Sequence, residues 1–378
     1  MVQFLPTYEE CLEICAVTDG FLFYEMKYVV QGFNVSIFDY KLASPNTFEE
    51  PVPGKSYKAH ELRGLTFVWN SDGTLYNRYL LLKKFFNINQ SELTQYDIIK
   101  NLTIDTVSYK EDGSLASFIK LPNGNIVAKS KGSFISDPAV AANDIINSDA
   151  HLYEFVKNSI DNNIIPIFEY VSIDNRIVLQ YKGRSLILLQ LRNNISGEYM
   201  SLDSVPSFIK TRLSFDYTLD EIIQLAKTEV DSEGFVVIFT NGLMVKQKTQ
   251  WYFDRHGLYT DSLYRENDLI RLILSGEIDD ILSVLNDPMK NKEVDLIVDK
   301  INTYKSNCLK SINILYEKYV ATGYDIGAFA RANNKDVSFN YVMSVINGFD
   351  INIKIEERIL SETIRLENAR KFLNEIVI

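Results

Sequence analysis

The hydrophobic rhythm of the chain changes once. Between about residues 61 and 250, short β-type runs recur between turn signals, at 65–69, 114–120, 126–130, 164–171, 176–180, 185–191, 235–239 and 243–248. Asn123-Gly124 and Asn241-Gly242 punctuate them as hairpin-type turns. Helical spacing interrupts the strands near 138–160 and 218–229. The aromatic-rich first 60 residues add strand-like runs at 21–24 and 35–40. Short strands in antiparallel hairpins with a few helices predict an α+β fold.

After about residue 260 apolar positions fall three and four apart. Residues 264–286, 290–322 and 353–377 read as helices, with Ile297, Ile301, Tyr304, Cys308, Ser311, Leu315 and Tyr319 tracing one stripe. Gly323 and Gly348 are placed to end helices. The expected organisation is a β-rich domain over 1–257 followed by an all-helical domain over 258–378. A length of 378 residues suits two domains.

Composition narrows the partners. A formal net charge of −11 makes the chain a poor general binder of polyphosphate, so any nucleic acid must meet a local basic patch. The helical half carries a slight acidic excess of its own. Three cysteines without zinc-ligand spacing exclude a disulfide framework and a zinc cluster, and three histidines argue against a His-rich metal site. No apolar run is long enough for a membrane span, so a soluble cytoplasmic protein without a membrane partner is expected. No feature of the sequence sets an oligomeric state.

The sharpest local signal is Lys110-Glu111-Asp112-Gly113-Ser114. Alone it would pass for a charged turn. Its company gives it weight. Arg63-Gly64 precedes an apolar strand, and Lys83-Lys84-Phe85-Phe86-Asn87 follows. Beyond Lys110 come Lys129-Ser130-Lys131-Gly132-Ser133, then Phe168-Glu169-Tyr170-Val171, then Glu233-Gly234-Phe235, then Val245-Lys246-Gln247-Lys248. Strand alternation puts Lys129 with Lys131, and Lys246 with Lys248, on shared faces. It also puts Glu169 in a row with Ile165, Ile167 and Val171, where a carboxylate is costly unless it meets a cation or a ligand. Singly, these are solvated lysines, a turn before a strand and a structural ion pair. Jointly, they suit a lysine nucleophile attacking the α-phosphorus of a nucleotide. A lysine amine attacks only when neutral, and its ordinary pKa is about 10.4. Neighbouring cations (Arg63, Lys131, Lys246, Lys248) would favour the free base and neutralise phosphate. Asp112, Glu169 and Glu233 would bind ribose hydroxyls or hold Mg2+ through water.

At this point the chain resembles the covalent nucleotidyltransferase superfamily of ligases and RNA capping enzymes. More closely, it resembles the bacteriophage ATP-dependent RNA ligases that repair cleaved tRNA. The segments KEDGS, SKGS, FEYV, EGFVV and VKQK carry the resemblance, with ELRG and KKFFN upstream and Trp251-Tyr252 after the last lysines. It implies three steps: ATP adenylates Lys110, AMP passes to an RNA 5′-phosphate, and an RNA 3′-hydroxyl expels AMP. By motif position, Lys110 would be the nucleophile, with Asp112, Glu169 and Glu233 in the catalytic set. Arg63, Lys84, Lys131, Lys246 and Lys248 would grip phosphates, and Glu169 and Glu233 would serve the metal. The resemblance implies ATP and Mg2+ as cofactors and a nicked tRNA as the RNA partner, with the helical domain associated with tRNA. A DNA ligase or capping enzyme would more often append an OB-fold, which the helical tail does not resemble. A non-catalytic RNA binder on a ligase fold would not need every reactive position filled.

Overall fold

A computed structural model describes residues 5–17, 22–40, 48, 58–172, 183–255, 265–276, 278 and 288–376. The expected strand at 176–180 and parts of the expected helix over 264–286 lie outside the described residues. The chain divides into two compact units. One comprises residues 1–40, 48–259 and 283–286; the other comprises 41–47, 260–282 and 287–378.

In the first unit the strands are, in chain order, β1 (Phe23–Val30), β2 (Phe33–Tyr40), β3 (Leu65–Trp69), β4 (Leu75–Tyr79), β5 (Phe86–Asn87), β6 (Ile104–Tyr109) and β7 (Ser114–Lys120). They continue with β8 (Ile126–Ser130), β9 (Ile164–Val171), β10 (Ser185–Asn193), β11 (Tyr199–Met200), β12 (Ser214–Phe215), β13 (Gly234–Phe239) and β14 (Met244–Lys248). They form three sheets, ordered β1-β2-β3-β4, β11-β10-β9-β7-β8 and β12-β6-β13-β14-β5. Neighbours run antiparallel except β14 and β5, a short parallel pair at Val245↔Phe86 and Lys246↔Asn87.

Two helices cover the second sheet. They are α4 (Asp137–Ser148) and α5 (Ala150–Asp161), which follow α1 (Tyr8–Val17), α2 (Lys58–Glu61) and α3 (Tyr96–Ile99) and together fill the span expected as one helical stretch. Asp149 divides them, its carboxylate accepting from the backbone N–H groups of His151 and Leu152 as an N-cap. Ala142, Ile146, Leu152, Val156 and Ile160 recur at helical spacing and pack into one core with Phe118, Ile165, Ile167 and Phe168. Each such large apolar side chain contributes about 1.5–3 kcal/mol when fully buried.

The third sheet is two-sided in a way that matters for the site. Phe235, Val237 and Phe239 share one face of β13 and pack against Ile222 and Leu219 of α6 (Leu219–Thr228). Gly234, Val236 and Ile238 therefore turn to the other face, and Val236 and Ile238 line a cavity there.

The second unit is helical, with segments Glu266–Ser275, Pro288–Ala321, Ile326–Asn333, Phe339–Ile346, Ile351–Glu362 and Leu366–Glu375. Its interior holds Ile273, Ile297, Ile301, Leu315, Phe329, Val342 and Ile359. The stripe on the long helix departs from the expected one at Ser311, which is exposed, while Ile312 is buried. Lys305 also turns inward, where its ammonium meets Glu356 at 2.7 Å. Gly323 and Gly348 adopt φ of +64° and +79° just past helix ends, a conformation glycine takes without steric cost. No described helix is long and apolar enough to cross a membrane.

Candidate active site

The second and third sheets of the first unit enclose a cavity of about 480 Å³. β6 supplies Ser108 and Tyr109, and the turn into β7 adds Lys110 and Glu111. Glu169 enters from β9, Gln190 from β10, and Val236 and Ile238 from β13. Arg63 and Lys131 come from connecting loops.

Lys110 leaves the end of β6 with its backbone fixed, its N–H donating to the Gly234 carbonyl at 2.8 Å. That register sets Glu233 beside it. The Lys110 ammonium lies 2.8 Å from one Glu233 oxygen, and the Lys248 ammonium lies 3.1 Å from the other. Burial disfavours a charged Glu233, but the two lysines outweigh it and hold the carboxyl below the usual range. Sequence reasoning expected cations as the surroundings of Lys110. Its closest charged contact is instead this carboxylate, because Glu233 leads directly into the strand paired with β6.

Gly234 and Gly113 make this approach possible. A Cβ on Gly234, at φ +149°, would fall 2.1 Å from the Gln247 carbonyl. A Cβ on Gly113 would fall 2.3 Å from the Tyr170 carbonyl and 3.1 Å from the Glu169 Cγ. Only glycine lets the Lys110 loop rest on the strand that carries Glu169.

Glu169 lies on β9, whose two faces are both buried, so Pro166, Phe168 and Tyr170 accompany the apolar row expected from alternation. Burial raises its carboxyl from 4.5 to about 8, Lys110 and Arg63 pulling the other way and Glu233 adding to the rise. Asp112, almost fully buried, accepts from the Tyr252 hydroxyl at 3.3 Å. The Tyr252 ring in turn faces the Lys248 ammonium at 4.6 Å, so one aromatic side chain links the Lys110–Asp112 loop to the last lysine.

The phosphate-gripping candidates divide. Arg63 and Lys131 line the cavity. Lys131 also pairs with buried Asp39 at 3.1 Å and faces the Tyr40 ring. Lys248 reaches the site through Glu233. Lys84 is buried among the rings of Tyr40, Phe48 and Phe86, at 5.3–5.4 Å, and is not a cavity-lining residue. Lys246 is half-buried opposite Val236 and likewise does not line the cavity.

Lys129 does not act as the twin of Lys131. β8 ends at Ser130, and the fully buried Lys129 ammonium donates to the carbonyls of Gly64 at 3.0 Å and Lys131 at 3.3 Å. Burial lowers its pKa to about 7. The contact staples the loop bearing Arg63 to the loop bearing Lys131. A second buried contact steadies the same region: Arg192 forms a bidentate pair with Glu61 at 2.7 and 2.8 Å, just ahead of Arg63.

Asp39, Gln190 and Arg212 line or support the site without any local sequence signal. Arg212 is the most unusual of them. It is buried, its Nη1 donates to Ser108 Oγ at 2.9 Å, and burial lowers its pKa to about 10.

A lysine held by a buried carboxylate, in a cavity between two sheets and beside a second carboxylate and several cations, is an arrangement that suits nucleotidyl transfer. The chain belongs to the RNA ligase family, whose model matches residues 61–254, and it is an enzyme of that class. A relative from Thermovibrio ammonificans, itself only provisionally named an RNA ligase, is 24% identical over 296 residues, covering 74% of each chain. An archaeal ATP-dependent RNA ligase structure is similar at a TM-score of 0.47 and 12% identity, covering 83% of this chain and 80% of that one. A mutant of Naegleria gruberi RNA ligase, solved with ATP and Mn, is similar at a TM-score of 0.35 and 16% identity, covering 45% of this chain and 56% of that one.

Proposed function

We propose that this RNA ligase is ATP-dependent and works through a Lys110–AMP intermediate. In the first step the neutral Lys110 amine attacks the α-phosphorus of ATP and pyrophosphate leaves. AMP then passes from Lys110 to an RNA 5′-phosphate. An RNA 3′-hydroxyl attacks that activated phosphate, forming the phosphodiester and releasing AMP. The observation that carries the reading is the placement of Lys110 at the cavity, 2.8 Å from Glu233, with Glu169, Arg63 and Lys131 in the same walls. Glu233 orients the lysine while its proton is lost. Arg63 and Lys131 meet phosphate directly, and Lys248 tethers Glu233. Lys84 and Lys246 would steady phosphate from outside the cavity lining, Lys246 from the sheet face it shares with Val236.

A divalent metal, Mg2+ in this reading, fits the donor set in a limited way. Among the described residues no three His, Cys, Asp or Glu side chains gather as a cage. Glu169 suits the role of ligand, since a cation beside it would offset the cost of its buried charge. Both Glu233 oxygens are taken by lysines, so Glu233 would serve a metal only as those pairs open. When bound, the metal would neutralise phosphate charge, with nucleotide oxygens and water completing its shell.

The residues up to 257 form the adenylylating part in this reading. The helical part from 258 onward selects the RNA, a nicked tRNA in the cytoplasm of the cell. Incubation with α-labelled ATP and Mg2+ tests the chemistry: the wild type becomes covalently labelled, and Lys110→Ala and Lys110→Arg do not. A guanidinium is effectively never deprotonated, so the arginine keeps the charge and loses the nucleophile. Label on either variant would assign the reaction to another residue. End-joining of a nicked anticodon stem-loop, linear single-stranded RNA and nicked duplex DNA tests the substrate. Equal rates on the first two would overturn the tRNA assignment.

A further inference from the structure

The inner end of the cavity holds two polar side chains that the adenylylation chemistry does not use. Gln190 is 4% exposed and Arg212 is 8% exposed, and both line the cavity. Gln190 Oε1 and Arg212 Nε are buried without a hydrogen-bond partner. Among the described residues no carboxylate forms an ion pair with Arg212 and its side chain bonds to Ser108 alone, although the charge of Asp105 acts on it from farther off. Buried polar groups are ordinarily satisfied, and leaving one unpaired costs on the order of 1–3 kcal/mol, more for a charged group. Two such groups in one pocket wall point to a missing partner.

The backbone brings them together by design of the strands. β10 carries a bulge: Leu188 faces Phe168, Gln190 faces Ile167, and Leu189 is the extra residue between. The bulge lets both Leu189 and Gln190 reach the cavity. The segment leading to Arg212 is strapped to the same point, Leu188 N–H donating to the Lys210 carbonyl at 2.7 Å and Arg212 N–H to the Leu188 carbonyl at 3.0 Å. Two residues later Ser214 pairs with Ser108 of β6. Residues 210–215 thus tie the second sheet to the third, with Gln190 and Arg212 beside the tie.

The surroundings identify the ligand. Leu189, Val236, Ile238 and Met244 line the same cavity, which suits a flat aromatic ring better than a phosphate. Ser108, which holds Arg212, and Lys110 lie two residues apart in the chain and line the same cavity.

We propose that Gln190 and Arg212 read the base of the nucleotide that is transferred to Lys110. This rests on the lysyl-AMP reading above. The Gln190 amide oxygen accepts from the exocyclic amine of adenine, and the Arg212 guanidinium donates to a neighbouring ring nitrogen. Both are specificity-determining contacts, made to the part of the nucleotide that does not react.

The test compares ATP with purine riboside triphosphate, which lacks the 6-amino group, in single-turnover labelling of Lys110. Binding of adenosine and of purine riboside is measured alongside by calorimetry. Removing the amine should cost the wild type about tenfold, the worth of one hydrogen bond. Gln190→Leu should lose about tenfold with ATP and nothing further with purine riboside triphosphate. Gln190→Glu keeps an acceptor of the same shape and should keep the preference. Arg212→Met should weaken adenosine binding about ten- to hundredfold, the worth of a bond to a charged donor. An unchanged ATP preference in Gln190→Leu would overturn the proposal. So would an Arg212→Met variant that binds adenosine normally but loses pyrophosphate inhibition, since Arg212 would then be a phosphate contact. Failure of the wild type to label with ATP would remove the lysyl-AMP reading instead, and the adenosine binding ratios would still judge the base contacts.

Discussion

Replacing Lys129 by methionine should alter how stability responds to pH, and the structure fixes the sign. Lys129 is fully buried, and among the described residues its ammonium has the carbonyls of Gly64 and Lys131 as its hydrogen-bond partners. Burial brings its pKa from 10.5 in an ordinary lysine to about 7, with Lys131 adding to the fall and Asp39 opposing it. Between those values the unfolded chain holds a proton that the folded chain has released. Raising the pH therefore favours folding from about 7 to about 10.5, whereas below 7 the folded protein bears the full cost of the buried charge. Each pH unit in that window is worth about 1.4 kcal/mol, so the wild type should gain about 2–3 kcal/mol on the variant between about pH 7.5 and 9.5. The comparison must be one of slopes. Methionine fills the space but takes a donor from two carbonyls, Gly64 keeping only its bond from the Thr66 hydroxyl, at about 1–3 kcal/mol for a carbonyl left unpaired, which shifts the variant's curve at every pH. Other titrating groups are common to both proteins and cancel. Urea denaturation followed by the fluorescence of Trp69 and Trp251, repeated across this pH range, measures the difference. Parallel curves would refute the reasoning and mean that water or a counter-charge reaches Lys129.

Glu169→Gln should show the opposite slope. In chelator, wild-type stability should fall relative to the variant as pH rises from about 4.5 to about 8, because the folded state holds the carboxyl's proton longer than the unfolded state; equal slopes would exclude a buried, protonated Glu169. Lys248→Ala should slow Lys110 adenylylation by about 10²–10³, since Glu233 loses one of its two cations and the site loses a charge, whereas Gln247→Ala on the other strand face should be milder; single-turnover labelling distinguishes them. Gly113→Ala should destabilise the protein by about 1–3 kcal/mol in thermal melts, because its Cβ would strike the Tyr170 carbonyl, and an unchanged melt would mean that the loop relaxes freely.

What the sequence made legible follows from what is local. Strands β3, β7, β8 and β9 match their expected spans, because alternation and flanking turns are written within a few residues. β6 was not expected, although it delivers Lys110. Its residues Ile104–Tyr109 mix polar and apolar side chains on both faces, since one face meets the α6 core and the other a polar cavity. The first helix, Tyr8–Val17, was missed for a similar reason: its buried face is essentially Cys11 and Cys15, too narrow to show as a stripe. Within the site, motif residues adjacent to glycine turns were readable, while Asp39, Gln190 and Arg212 were not. Arg212 sits at the cavity only because its segment bonds to Leu188 across sheets, a long-range pairing with no periodicity to announce it. Lys84 was readable as a motif residue, but its aromatic surroundings, Tyr40 and Phe48, come from elements far upstream.

The charge of the chain becomes intelligible once burial is counted with sign. At −11 the protein repels polyphosphate from a distance, yet Arg63 and Lys131 line one cavity and Lys110 and Lys248 converge on Glu233 at its edge. Cations inside a walled cleft are screened less than surface charges, so a few of them outweigh many distant carboxylates for a ligand that reaches the site. Glu169 and Glu233 are not simple subtractions from that potential. Glu233 is neutralised by two lysines, and Glu169 holds its proton near neutral pH. The site is thus cationic toward an incoming triphosphate, with Arg63, Lys110, Lys131 and Lys248 set against Glu233 and Asp39. Affinity for nucleotide is built into the cavity, whereas affinity for RNA must be added by local contacts against an unfavourable net field. An enzyme arranged this way should bind unrelated RNA weakly and discriminate by fit, which is the demand placed on a ligase that must act on one broken end among many intact strands.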